Sequence, residues 1–204
     1  MFRHRKAGGI IAVRAGTKEY GRHRFTIAHE IGHYILHGHE SATSLCALKD
    51  IRGWDKSNKK ELAANRFAAE LLLPKKHIIP ILKQRGMSMT TVEFVKEQFQ
   101  VSLTSAALRC VELSESVCAL IISKNDVVEQ YRKSKSWPRR YSIRVGTPIP
   151  EHSLASTLLN GKSKRIQGSV NAVVWLDVME GIELTEDSVH LPSYKTFLTL
   201  LTKN

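Results

Sequence analysis

Between residues 24 and 37 the apolar side chains Phe25, Ile27, Ala28, Ile31, Tyr34 and Ile35 recur at the spacing of one helical face. Gly38 stands where such a helix would end. Ahead of it, residues 9–14 form a short β-branched run that predicts a strand, and residues 16–21 supply turn formers. Residues 41–58 show no period and read as a surface loop. A second long helix is predicted over residues 59–73, with Leu62, Ala63, Phe67, Ala68, Leu71 and Leu72 on one stripe and Pro74 as its stop. Shorter helices follow at residues 75–83, 90–99 and 103–113. The pattern changes after Glu115, where residues 117–123 and 171–176 read as strands among Gly, Pro and Ser punctuation. The expectation is an α+β chain with breaks near Gly86 and Glu115, giving segments 1–85, 86–114 and 115–204.

Composition narrows the class without naming a chemistry. The chain has 204 residues, 42% of them apolar and 25% charged, as in ordinary globular proteins. Its longest uncharged apolar stretches, such as residues 116–123, are too short to cross a bilayer. The basic start Met1-Phe2-Arg3-His4-Arg5-Lys6 lacks the apolar core of a secretory signal, so the expected compartment is the cytoplasm. Cys46, Cys110 and Cys118 are odd in number and form no Cys-x-x-Cys pair, which argues against a disulfide framework or a zinc ribbon. A net charge of +12 favours anionic partners as much as it favours solubility.

The first predicted helix carries His29-Glu30-Ile31-Gly32-His33. Residues four apart on an α-helix share a face, so His29 and His33 can hold one metal ion with Glu30 beside it. Zinc acidifies a bound water and polarises a carbonyl, and Glu30 would move the proton. Gly32 allows close packing, and Ile31 and Ile35 are expected to point into a core. The five-residue motif also arises by chance, so a third ligand decides its meaning. His39 has the metzincin spacing, but Leu36 occupies the position where those enzymes turn on a glycine. His37 lies two turns from His29, too far to share one tetrahedral ion. On the next helix the candidates are Glu61 and Glu70. Glu61 is favoured, because Asn65 follows one turn later and can orient a ligand histidine through its other ring nitrogen. Two His, one Glu and water are a known catalytic zinc set, and manganese or iron also fits such donors.

Two longer stretches carry a resemblance. Arg24-Phe25-Thr26-Ile27-Ala28-His29-Glu30-Ile31-Gly32-His33 and Glu61-Leu62-Ala63-Ala64-Asn65-Arg66-Phe67-Ala68-Ala69-Glu70-Leu71-Leu72-Leu73-Pro74 resemble the core of the ImmA/IrrE metallopeptidases, in the same order. By that resemblance His29, His33 and Glu61 would hold the metal and Glu30 would be the base. The substrate would be a helix-turn-helix repressor, cut to release gene expression in a stress or mobile-element response. The resemblance also implies a zincin-like core over 1–85 and a helix-turn-helix-like module over 86–114, centred on residues 98–109. A GAF-like α/β domain over 115–204 is implied by Glu186-Asp187-Ser188-Val189-His190-Leu191-Pro192. Members usually carry more helical sequence ahead of the first strand, so an N-terminally short core is expected.

Two further features bear on possible partners. Helix 103–113 offers only Arg109 as a basic residue, which favours packing or substrate docking over base reading. Residues 131–144 interleave Arg132, Lys133, Lys135, Arg139, Arg140 and Arg144 with Tyr131, Trp137 and Tyr141. That pattern suits single-stranded nucleic acid, or, as the favoured alternative, a solvated hairpin whose aromatics face a core. The rival reading of the chain is a DNA- or protein-binding regulator with an inactive peptidase site; direct DNA binding is not favoured.

Overall fold

A computed structural model describes residues 2–4, 8–11, 20–37, 59–161, 163–178 and 181–203. His39, Gly38, Cys46, the predicted loop at 41–58 and most of the predicted strand and turn at 12–19 lie outside the described residues. The contacts divide the chain into two compact units, Met1–His77 with Val95–Ser105, and Ile78–Phe94 with Ala106–Asn204.

The first unit opens on strands β1 (Phe2–His4) and β2 (Gly8–Ile10), paired antiparallel with Phe2 opposite Ile10. Helix α1 (Tyr20–His37) follows, then α2 (Lys59–Leu72). Helix α1 begins four residues earlier than its apolar period suggests, so Gly21 is a helical residue and not a turn former. The reason is steric. A Cβ at Gly21 would stand 2.4 Å from the carbonyl carbon of Val101 and 2.5 Å from the nitrogen of Ser102, so only glycine admits that backbone. Ile35, expected inside, is 54% exposed. The buried positions of α1 are Gly21 and the run Ala28, His29, Glu30, Gly32 and His33, so polar residues take places that Ile35 was expected to share.

Helices α3 (Lys75–Arg85), α4 (Met89–Phe99) and α5 (Leu103–Leu113) follow within a few residues of their predicted bounds. Between α4 and α5, Gln100 takes a left-handed conformation with φ of 52°, which turns the chain. Arg24 of α1 donates to the carbonyls of Phe99 (2.7 Å) and Gln100 (3.1 Å), satisfying acceptors at the α4 C-terminus. Ser102 Oγ accepts from the Ser105 amide at 3.1 Å, the N-cap expected for α5.

The second unit is built on a five-stranded antiparallel sheet of order β4-β3-β7-β6-β5. Its strands are β3 (Cys118–Lys124), β4 (Val127–Lys133), β5 (Arg165–Asn171), β6 (Glu183–Leu191) and β7 (Thr196–Thr202). Helix α6 (Leu154–Asn160) lies between β4 and β5 in the chain. Strand β3 is buried along six of its seven residues, so both faces of the sheet are covered. One face carries Ala119, Ile121, Phe197 and Leu201 against Trp137, Tyr141, Leu158 and Trp175. Toward the other face, Asp187 accepts from the Met89 amide at 3.3 Å.

Residues 171–176, expected as a strand, are mostly a 3-10 turn over Ala172–Val174. Asn171 Oδ1 accepts from the Val173 amide at 3.1 Å and stops β5 there, because a capping side chain offers the backbone an alternative to the ladder. Two buried acids explain why β6 is polar yet central. Glu186 accepts from the amides of Leu154 (3.1 Å) and Ala155 (2.7 Å), from Trp175 Nε1 (2.7 Å) and from Ser188 Oγ (2.9 Å), capping α6 from below. Asp187 takes Arg165 in a two-point grip at 3.0 and 2.8 Å, and Arg165 reaches on to Glu93 (2.9 Å) and Thr90 (3.1 Å).

Candidate metal centre

Helix α1 stacks His29 and His33 one turn apart, with ring centroids 4.6 Å apart in an edge-to-face arrangement. Their Nε2 atoms are 3.0 Å from each other. Glu61, in the first turn of α2, brings one carboxylate oxygen to 3.1 Å from His29 Nε2 and the other to 3.2 Å from His33 Nε2. Asn65, one turn further along α2, holds His29 Nδ1 at 2.9 Å through Oδ1. Helix packing makes this convergence possible. A Cβ at Gly32 would meet Ala64 Cα and the Ala64 carbonyl at 3.1 Å, so α1 and α2 approach across a glycine and a fully buried alanine.

The centre is dry. His29, Glu30, His33, Glu61 and Asn65 are all buried, none more than 8% exposed. Burial, followed by the neighbouring His33, holds the His29 imidazole below its ordinary pKa, and so favours the neutral ring that a metal requires. With Nδ1 donating to Asn65, His29 turns a lone pair at Nε2 toward the Glu61 carboxylate. Two acceptors facing each other in a buried space repel, and a shared cation removes the conflict. Each of the three residues brings one donor atom within 4.8 Å of the others, close enough to share one ion. His29, His33 and Glu61 are the group able to hold a metal ion among the described residues. The donors therefore fit zinc.

Glu30 lies between the two histidines in the chain, and its Oε2 is buried without a hydrogen-bond partner among the described residues. A buried polar atom left unmatched in this way is uncommon outside working sites. His37 packs its ring 5.6 Å from that of His33 and approaches the Lys60 carbonyl at 3.3 Å, so it lies beside the cluster and outside the convergent set. Glu70 is exposed and accepts from the Lys75 amide at 3.1 Å, away from the histidines.

The other sequence candidates fall elsewhere. Arg109, the one basic residue of α5, is 7% exposed and pairs with Glu112 at 2.9 Å, so it does not face outward for base reading. Trp137 and Tyr141 are buried in the sheet core, and Tyr131 packs partly against it, as the hairpin alternative expected. The sequence alone does not single out Arg24 as a tether, Arg165 as a half-buried hub or Glu186 as a buried one. Their partners lie far along the chain, and only an isolated charge in an apolar stretch could have signalled them.

Residues 2–111 match a peptidase family described as the IrrE N-terminal-like domain. Over 161 residues the chain is 29% identical to the radiation response metalloprotease IrrE of Deinococcus deserti. That alignment takes in 72% of this chain and 57% of the relative, so the chain spans little more than half the length of the curated protein it resembles.

Proposed function

The chain belongs to the IrrE N-terminal-like peptidase family, and from that membership we propose that it is a zinc-dependent endopeptidase centred on His29, His33 and Glu61. The observation that carries this reading is the convergence of three buried donors within 4.8 Å of one another. His29, His33 and Glu61 would hold the ion, with manganese or iron as alternatives by donor chemistry. When bound, the ion polarises the scissile carbonyl and acidifies water. Glu30, with an unmatched buried oxygen, takes the proton from the attacking water and returns it to the leaving amine. Asn65 keeps His29 in the tautomer that presents Nε2.

The substrate we propose is a helix-turn-helix repressor, on the strength of the two motifs on α1 and α2. Segments 1–85 and 86–114 would form the zincin-like core and the helix-turn-helix-like module. For 115–204 we keep the GAF-like reading, supported by a five-stranded antiparallel sheet with the α6 N-terminus held on one face by Glu186. An inactive-site regulator is disfavoured, since a decayed centre has no need to keep three ligands, a base and Asn65 together.

The test is metal content and cleavage on the purified full chain. Glu30→Gln should keep one zinc per chain and lose about 10²–10⁴-fold in cleavage of a helix-turn-helix repressor substrate. Glu61→Ala should lose the metal, and Glu70→Ala should keep it. Undiminished cleavage by Glu30→Gln, or metal lost equally with Glu70→Ala, would end this reading.

A further inference from the structure

Residues 130–150 hold six cations, Arg132, Lys133, Lys135, Arg139, Arg140 and Arg144, and no acid. Neither the metal centre nor the sheet core uses most of them. Arg144 pairs with Asp177 at 3.4 Å, and Arg132 is partly buried near Glu112. Lys133, Lys135, Arg139 and Arg140 are exposed, with no ion pair to any described residue.

These four are displayed on an anchored scaffold. Leaving β4, the chain makes two consecutive tight turns, with the Trp137 amide donating to the Ser134 carbonyl (3.2 Å) and the Tyr141 amide to the Pro138 carbonyl (3.1 Å). Ser134, Trp137 and Tyr141 are each no more than 3% exposed and fasten the turns from inside. Ser134 bonds back to Cys118 through both its amide (2.9 Å) and its Oγ (3.2 Å), and Trp137 Nε1 donates to the Tyr141 carbonyl at 3.0 Å. The Arg140 guanidinium lies 5.6 Å from the Tyr141 ring centre. With Trp137 and Tyr141 turned inward and Tyr131 packed partly against the core, the segment offers solvent chiefly charge. Glu115 is tied to the turns through its backbone: its carbonyl accepts from Ser136 Oγ at 2.7 Å, while its carboxylate stands 4.0 Å from Lys83.

We propose that this pair of basic turns is a docking surface for the phosphate backbone of duplex nucleic acid, bound without regard to sequence. Pre-ordered turns lose little conformational freedom on binding. Buried Trp137 and Tyr141 remove the stacking platforms that single strands use. A chain-wide charge of +12 extends the attraction beyond the turns, which suits a long, evenly charged polymer better than a short acidic peptide.

The test is fluorescence anisotropy of the full chain with a short duplex of arbitrary sequence across a salt series. A quadruple variant, Lys133→Gln, Lys135→Gln, Arg139→Gln and Arg140→Gln, is compared with a control carrying Lys75→Gln, Lys76→Gln, Lys195→Gln and Lys203→Gln. Both lose the same charge, and thermal melting verifies that both fold. The turn variant should bind at least about tenfold more weakly at moderate salt, with a log–log salt slope shallower by about three to four, at ~0.9 per phosphate no longer neutralised. The control should lose far less affinity than the turn variant does. Three results overturn the proposal: no salt-dependent binding by the unmodified chain, equal loss in both quadruple variants, or tighter binding of a single strand. Binding of polyglutamate through the same four residues, with no binding of duplex, assigns the surface to an acidic protein and overturns it as well.

Discussion

Asn65 and Glu186 are both buried polar side chains, and removing each has a different consequence because each serves a different partner. Asn65 touches the proposed metal centre through one contact, its Oδ1 to His29 Nδ1 at 2.9 Å. Asn65→Ala frees the His29 ring to rotate and to change tautomer, so zinc affinity should fall by about 10- to 100-fold. Competition with a chromophoric chelator measures this, and Asn65→Asp, which still accepts, should recover most of the loss. Affinity unchanged in Asn65→Ala would show that α1 alone fixes the ring. Glu186 serves no ligand, and four donors converge on its carboxylate from α6, Trp175 and Ser188. Glu186→Ala leaves those donors buried and unmatched, at a cost of about 3 kcal/mol or more, read from denaturant unfolding. Metal content should not change. The same logic makes two thiols inert: burial lifts the Cys110 pKa to about 12 and raises that of Cys118. Neither should react with an alkylating agent at neutral pH until the protein unfolds, as peptide mapping by mass spectrometry would establish.

At the scale of the elements, the α1–α2 approach is the most sensitive point. Gly32→Val places branched carbon where Ala64 backbone already stands about 3 Å from a single Cβ, so the helices must separate. That separation moves Glu61 away from His29 and His33. Metal affinity and thermal stability should therefore fall together, whereas Asn65→Ala should lower chiefly the first. A Gly32→Val protein that keeps full metal affinity would mean the helices have room that the close contacts deny. Helical periodicity recovered the extent of these elements, with stops at Pro74, Gly86 and the Gln100 turn. It did not recover the buried face of α2, where Glu61 and Asn65 are buried and Leu71 is 51% exposed. The two histidines and Glu30 could be read from spacing alone, and Glu61 gained its preference from Asn65 one turn away. The sheet was harder to read. Strand β6 buries Glu186, Asp187 and Ser188, so its sequence looks like a polar loop, and only the distant Arg165 and the α6 amides explain their burial. Strand β7 is a continuous buried run with little alternation, a pattern that helix and strand share. Gly21 was read as a turn former because glycine marks both turns and close approaches, and the backbone it approaches lies some eighty residues later.

At the scale of the whole chain, the family match and the compact units do not coincide. The match runs over residues 2–111, whereas residues 78–94 and 106–113 belong to the unit built on the sheet. Helix α4 supplies Met89–Phe94 to one unit and Val95–Phe99 to the other. A cut after Ser114 would keep every matched residue and every proposed ligand, yet remove all five strands of the sheet. Met89, Val92, Cys110 and Val111, each 0% exposed in the full chain, would lose much of their cover. Fully exposing an apolar side chain of this size costs ~1.5–3 kcal/mol, and whole-domain stability is about 5–15 kcal/mol. A fragment of residues 1–114 should therefore aggregate or fail to unfold cooperatively, while the full chain melts cooperatively with Cys110 protected. Calorimetry and alkylation of Cys110 on the fragment and on the full chain decide the matter. A soluble fragment that melts like the full chain and binds zinc would make the second unit dispensable for the peptidase centre, and would leave its anchored basic turns to be understood as a separate module.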